Sequence, residues 1–227
     1  MNSKETVYRL IQKHEDMMRR LDEWFAHLHT LYPDKIKCER GCALCCHGLF
    51  DVSLADAVQI IRGYDLLPED IRMSVRERAS LIQRQIKGAS GMAAEPLFLN
   101  LSQGEIDELV ERIDGVRCPF LGTDDECLIY DQRPLACRLE GVPMVDRHDG
   151  LFGDWCELNF QNGVENGLLE KLRLDYYEIQ AIEQETTGDL SQLLFPARDE
   201  EVTIFIPSIL TGYDELVRAL GLAETAG

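Results

Sequence analysis

Four cysteines fall within nine residues of this chain: Cys38, Cys42, Cys45 and Cys46, in the run CERGCALCCHG. A gap of two or three residues lets a tight loop turn two thiolates toward one ion or cluster. Gly41 and Gly48 supply the backbone freedom that such a loop needs. Four more cysteines follow at wider intervals, Cys118, Cys127, Cys137 and Cys156. Eight thiols suit two tetrahedral zinc sites of four sulfurs. They equally suit one cubane iron–sulfur cluster, with four thiols left for another ion, redox work or packing. Spacing alone does not choose between them. Adjacent Cys45 and Cys46 project in different directions, so they are expected to serve different metal atoms or to leave one thiol free. Grouped thiolates also carry excess negative charge. Lys35, Lys37 and Arg40 flank the first group and Arg117, Arg133 and Arg138 the second, placed to donate N–H groups to sulfur.

Other chemistries find less support. The spacing from Cys38 to Cys45 is also the one by which radical S-adenosylmethionine enzymes hold a cluster. No alternation of strands and helices follows it to build their barrel. No glycine-rich nucleotide loop and no P-loop lysine motif occurs. Thiol exchange at Cys42-Ala-Leu-Cys45 lacks a βαβ setting. His47 stands beside the motif and is a candidate to replace a thiolate. His14 lies in a helical stripe and reads as a satisfied core or surface histidine, while His27, His29 and His148 show no partner pattern. Asp124, Asp125 and Glu126 read as a solvated hairpin tip.

The elements that must position these thiols are mostly helical. Val7, Leu10, Ile11, Met17, Met18, Leu21, Trp24, Phe25, Leu28 and Leu31 recur at helical spacing, which predicts one long amphipathic helix ended by Pro33. Such a stripe packs on its own domain or zips to a second copy as a homodimer. Ser53 and Asp56 form a capping box for a helix ending near Gly63. Pro68 opens another, closed by Gly88, whose exposed face carries Arg72, Arg76, Arg78, Arg84 and Lys87. Residues 89–101 read as a connector, and Ser102 with Glu105 caps a helix through Ile113. Cys118 to Tyr130 reads as a minimal hairpin. Asp131 is placed to cap a short helix bearing Cys137 and stopped by Gly141, and residues 142–163 read as irregular. A long helix is expected from Val164 to Thr187, with Gly188 as its C-cap. Val202, Ile204 and Ile206 then alternate as a strand, and one last helix runs through Leu220.

The chain has 227 residues, 45% of them apolar, which is ample for a packed core. Lys and Arg number 23 against 41 Asp and Glu, a formal net charge of −18. A field of that sign repels phosphate backbones and anionic lipid, which argues against nucleic acid and membrane partners. No run approaches the roughly 18 apolar residues of a membrane span, and the charged N-terminus resembles no targeting peptide. The expected compartment is a reducing cytoplasm, where cysteines serve as metal ligands rather than disulfides.

The four clustered cysteines followed by CPFLGTDDECLIYDQRPLACR resemble the YkgJ-type CxxCxxCC cysteine-cluster family, a zinc- or iron-chelating domain. The resemblance runs from about residue 36 to 140 and rests on seven cysteines with Tyr130, Arg133, Pro134 and Arg138. The first gap here has three residues where the family's motif has two. The family includes a flagellin lysine N-methylase, so the resemblance implies metal binding and leaves catalysis open. It implies zinc or an iron–sulfur cluster, [4Fe–4S] if iron. The ligand set is Cys38, Cys42, Cys45, Cys46, Cys118, Cys127 and Cys137, with Cys156 the eighth.

The expected fold is mainly α, one helical domain around a cysteine-ligated metal centre with a small β-hairpin. Residues 1–34 form its first helix, 35–160 the metal-binding core and 161–227 a helical extension. The expected role is structural or metal-handling, with a protein partner. The alternative is an iron–sulfur-dependent enzyme such as a protein-lysine methyltransferase or oxidoreductase.

Overall fold

The apolar stripe of the first thirty residues forms a single helix, α1 (Ser3–Leu31), in the computed structural model. That structure describes residues 3–91, 103–113, 115–142, 144–146, 150–152, 155–164, 176–196 and 203–222. The connector beyond Gly91, the Ser102 cap, His148, residues 165–175 and Val202 lie outside it. Val7, Leu10, Ile11, Met17, Met18, Leu21 and Leu28 of the stripe are buried within the chain, while Leu31 at its end is 45% exposed.

A three-residue strand, β1 (Asp51–Ser53), leads into α2 (Leu54–Asp65). The Asp56 N–H donates to Ser53 Oγ at 3.1 Å, the capping interaction read from the sequence. The segment LADAVQII is apolar nearly all round, and a helix of that kind must be buried on every side. Accordingly Leu54, Val58, Ile60 and Ile61 are at most 1% exposed, and α2 forms the centre of the core. Full burial of each such side chain stabilises by about 1.5–3 kcal/mol. The helix ends two residues past Gly63, at Asp65. A Cβ there would lie 2.9 Å from Ile129 Cβ, so this glycine marks a close approach of two chain segments rather than a cap.

Helix α3 (Glu69–Ser90) likewise passes Gly88 and ends at Gly91, whose φ of +67° is the left-handed turn that glycine adopts without cost. Helix α4 (Gln103–Arg112) packs beside it. After the cysteine segments, α5 (Leu135–Leu139) is followed by β2 (Met144–Asp146) and β3 (Gly150–Phe152). These two strands pair antiparallel, Val145 opposite Leu151, inside the stretch that sequence patterning reads as irregular. Helix α6 (Tyr176–Leu194) runs through Gly188, because Leu190 and Ser191 beyond it are buried and extend the helical stripe.

The strand β4 (Thr203–Phe205) pairs antiparallel with β1, Val52 opposite Ile204, and so fixes this late segment beside the start of α2. Two short helices follow, α7 (Ile206–Thr211) and α8 (Tyr213–Ala219), where sequence reading expects one; Gly212 divides them. α1 packs on α6, α2 on α6, and α3 on α7. The main apolar cluster draws on Val7, on most of α2, and on Leu216 and Leu220. The chain is mainly α, with two small antiparallel ribbons among the described residues. No described helix is long and apolar enough to cross a membrane.

Candidate metal centre

The first cysteine loop is held by turns rather than by regular structure. Cys42 N–H donates to Glu39 O and Cys46 N–H to Ala43 O, each at 3.0 Å, and Gly41 at φ +96° reverses the chain between them. Residues Leu44–Cys46 form one 3₁₀ turn. The second group is brought to the first by backbone pairing: Cys118 N–H donates to Cys46 O at 2.8 Å, and His47 and Arg117 form an isolated antiparallel bridge. From there the chain makes the minimal hairpin. Leu121 bridges Cys127, Leu128 N–H donates to Phe120 O at 2.9 Å, and Asp125 occupies the left-handed tip at φ +59°. The acidic tip is exposed and Asp125 pairs with Arg117 at 3.1 Å.

Cys137 sits on α5, whose start is capped from outside. Asp56 Oδ1 on α2 accepts the Leu135 N–H at 3.0 Å. Asp131 does not fill that role; it lies in a 3₁₀ turn, Tyr130–Gln132, and pairs with Arg40.

Together these segments surround one cavity of about 630 Å³ of atom-free space, part of it open to solvent. Cys42, Cys45, Cys46, Cys118, Cys127 and Cys137 line it, and Phe50, Ile60, Phe120, Ile129 and Ile206 form its apolar wall. Cys38 and Cys156 do not line it. They meet behind Gly141, where a Cβ would lie 3.2 Å from both Cys38 Sγ and Cys156 Cβ; φ at Gly141 is +84°. All eight cysteines are free thiols, Cys45 exposed and the rest half-buried. His47 is exposed and absent from the cavity wall.

Burial pushes the thiols of Cys118, Cys127, Cys137 and Cys38 above the ordinary range, Cys118 to about 12. These side chains keep some surface yet are crowded by protein atoms, and crowding penalises the thiolate. Contact with Cys46, then burial, pushes Cys45 up as well. A cation must therefore displace protons to enter, and its charge is what would hold several thiolates together.

The flanking arginines act differently from expectation. Arg133 and Arg40 lie on the Tyr130 ring at 3.6 and 4.3 Å from its centroid, and their charge favours the Cys127 thiolate against the burial that raises it. Arg138 donates to Arg133 O and Asp131 O and pairs with Asp22, so it braces the loop. A side-chain N–H donor to sulfur is instead Asn159, whose Nδ2 donates to Cys38 Sγ at 3.0 Å and also to Gly141 O. Its Oδ1 accepts Lys37 N–H at 2.7 Å. Asn159 is fully buried and holds three chain segments at once. No local signal in CELNF marks it, since its partners lie up to 122 residues away.

Residues 37–157 match the CxxCxxCC family, described as a putative zinc- or iron-chelating domain. The chain belongs to this family. No curated protein and no solved structure matches it. The CxxCxxCC match includes all eight cysteines and stops short of Asn159, so it covers the thiols but not the amide that braces them. Metal chelation by the cysteine cluster is the activity that membership carries.

Proposed function

We propose that the chain binds an iron–sulfur cluster in the six-thiol cavity and works as a metal-handling module. The observation that carries this is the cavity itself, with six thiols around one apolar, half-open space. In a zinc tetrathiolate with Zn–S bonds near 2.3 Å, sulfurs sit about 3.8 Å apart. Among the described residues no three thiol sulfurs lie within 4.8 Å of one another. Wider spacing suits an occupant larger than one ion. When bound, a cluster would supply a one-electron centre whose potential is set by hydrogen bonds to sulfur and by burial. Cys42, Cys45, Cys46, Cys118, Cys127 and Cys137 are the candidates to hold it, with Cys38 and Cys156 as an adjoining pair. Cys45 is the exposed member and the point at which metal would enter or leave.

The stretches 1–34, 35–160 and 161–227 are read as one domain, α1 and the C-terminal helices bracing the thiol core between them. A reducing cytoplasm is its compartment, in keeping with eight unpaired cysteines.

Anaerobic purification without a metal-affinity tag, followed by visible spectroscopy and analysis for iron, zinc and acid-labile sulfide, tests the proposal. Iron and sulfide in similar amounts, with broad visible absorbance, are the expected result. A colourless protein carrying one or two zinc ions would overturn the cluster. The half-open cavity also favours a second reading, a cluster that serves methyl transfer to a protein lysine. Calorimetry of the reduced protein with S-adenosylmethionine decides it, and no binding heat removes it.

A further inference from the structure

A second cluster of ligand atoms lies in the helical core, away from the thiols. His14 on α1, Asp56 on α2 and Glu183 on α6 bring one imidazole nitrogen and two carboxylate oxygens within 4.8 Å of one another, the only such group among the described residues. His14 Nε2 is 3.4 Å from Asp56 Oδ1 and 3.1 Å from Glu183 Oε2. His14 is 0% exposed and Asp56 2%. Sequence patterning reads His14 as a satisfied core or surface residue. It is buried, with Nδ1 unpartnered and Nε2 at ion-pair distance from both carboxylates without hydrogen-bond geometry to either.

The spacing fits a shared ion. With metal–ligand bonds near 2.1 Å, two ligand atoms sit about 3.0 Å apart at a right angle and about 3.4 Å apart at the tetrahedral angle. The charges fit as well, since a dication between two carboxylates and a neutral imidazole leaves the buried group uncharged. Buried charge is otherwise costly. Asp56 is already oriented by the Leu135 N–H, and the buried Thr187 hydroxyl, also without a hydrogen bond, stands one turn beyond Glu183.

We infer that His14, Asp56 and Glu183 form a second metal site for one first-row divalent cation. Sites of this make-up are built between facing helices of bundles. One imidazole with two carboxylates suits Mn²⁺, Fe²⁺ or Zn²⁺, whereas the thiols select softer occupants, so the two sites sort metals by ligand type. His14 and Glu183 lie outside the family match, so this centre belongs to what the chain adds around the CxxCxxCC domain.

Mn²⁺ is the discriminating probe, because thiolates hold it poorly and its free ion is read directly by electron paramagnetic resonance. Protein from Mn²⁺-supplemented cultures, its thiol centre intact, is desalted and then titrated anaerobically with Mn²⁺. The expected result is one Mn²⁺ per chain, with affinity lowered at least tenfold in Glu183→Gln and unchanged in Cys45→Ser. Absence of bound Mn²⁺ in the folded wild type, or equal binding by Glu183→Gln, overturns the site. Should Glu183→Gln not fold, the wild type decides: bound Mn²⁺ must raise its melting temperature with concentration, and no rise overturns the inference.

Discussion

Five of the six thiols around the cavity sit on loops and single turns, and the sixth on a five-residue helix. His14, Asp56 and Glu183 sit on helices of 29, 12 and 19 residues whose apolar faces are buried together. Core packing therefore places the imidazole–carboxylate group whatever occupies it. The thiols depend on a few backbone bonds, Asn159 and Gly141, and on the metal they gather. One region is positioned by the fold, and the other helps to complete it.

Removing thiol-bound metal should separate the regions most strongly. Anaerobic chelation is expected to strip amide protection from residues 36–50 and 115–140 while α1, α2 and α6 keep theirs, measured by hydrogen exchange. Site formation of this kind can be worth about 10 kcal/mol or more. Uniform loss across the chain would mean that the helical core is not independent of the thiols.

Asp56 belongs to both regions, facing His14 and capping α5 ahead of Cys137. Asp56→Ala should cost about 3–5 kcal/mol in denaturant titration, because it breaks a buried polar cluster and leaves the Leu135 N–H unpaired. It should also lower metal content at the thiols. Normal thiol occupancy in the folded variant would show that the two regions are uncoupled.

Gly63→Ala acts on the seam between α2 and the Cys127–Arg133 segment. The added methyl would fall 2.9 Å from Ile129 and 3.0 Å from Gln132, and overpacking of this kind costs about 1–3 kcal/mol. The drop should appear in melting temperature, with a shifted visible spectrum at the thiols. Gly88→Ala, in open space on α3, should be neutral or stabilising.

The smallest effect separates the regions by pH. In metal-free protein, burial pulls His14 down, but the contacts and charge of Asp56 and then Glu183 outweigh it and hold it at about 9, above the ordinary 6.5. A raised folded value gives stability that is complete below pH 6.5 and is lost as pH rises through about 9. Burial raises the thiols of Cys38, Cys118, Cys127 and Cys137 above the ordinary 9, so the stability they give is lost only above pH 9, toward 12 for Cys118. Melting temperature should fall in two steps toward alkali, the first missing in His14→Gln. Thiol loading should release protons and erase the second.

The parts of this design that follow local rules were legible in the sequence. The stripe from Val7 to Leu28, the Ser53 cap and the Cys118–Tyr130 hairpin each follow from spacing within a few residues. Glycine was less readable: Gly63, Gly88 and Gly188 look like helix ends, yet α2 and α3 each run two residues further and buried Leu190 and Ser191 carry α6 past Gly188. The His14 cluster joins residues separated by 42 and 127 positions, and only the packing of α1, α2 and α6 brings them together. Asn159 was hidden for the same reason.

The bond from Cys118 N–H to Cys46 O has a consequence for synthesis. A ribosome releases the first four thiols about seventy residues before Cys118 exists, and still further ahead of Cys137 and Cys156. Through that interval the nascent chain offers an open hook of three cavity sulfurs, Cys42, Cys45 and Cys46, with no second wall. Metal captured early is held by half of its eventual surroundings, and the arrival of Cys118 beside Cys46 is the moment at which the hook becomes a chamber.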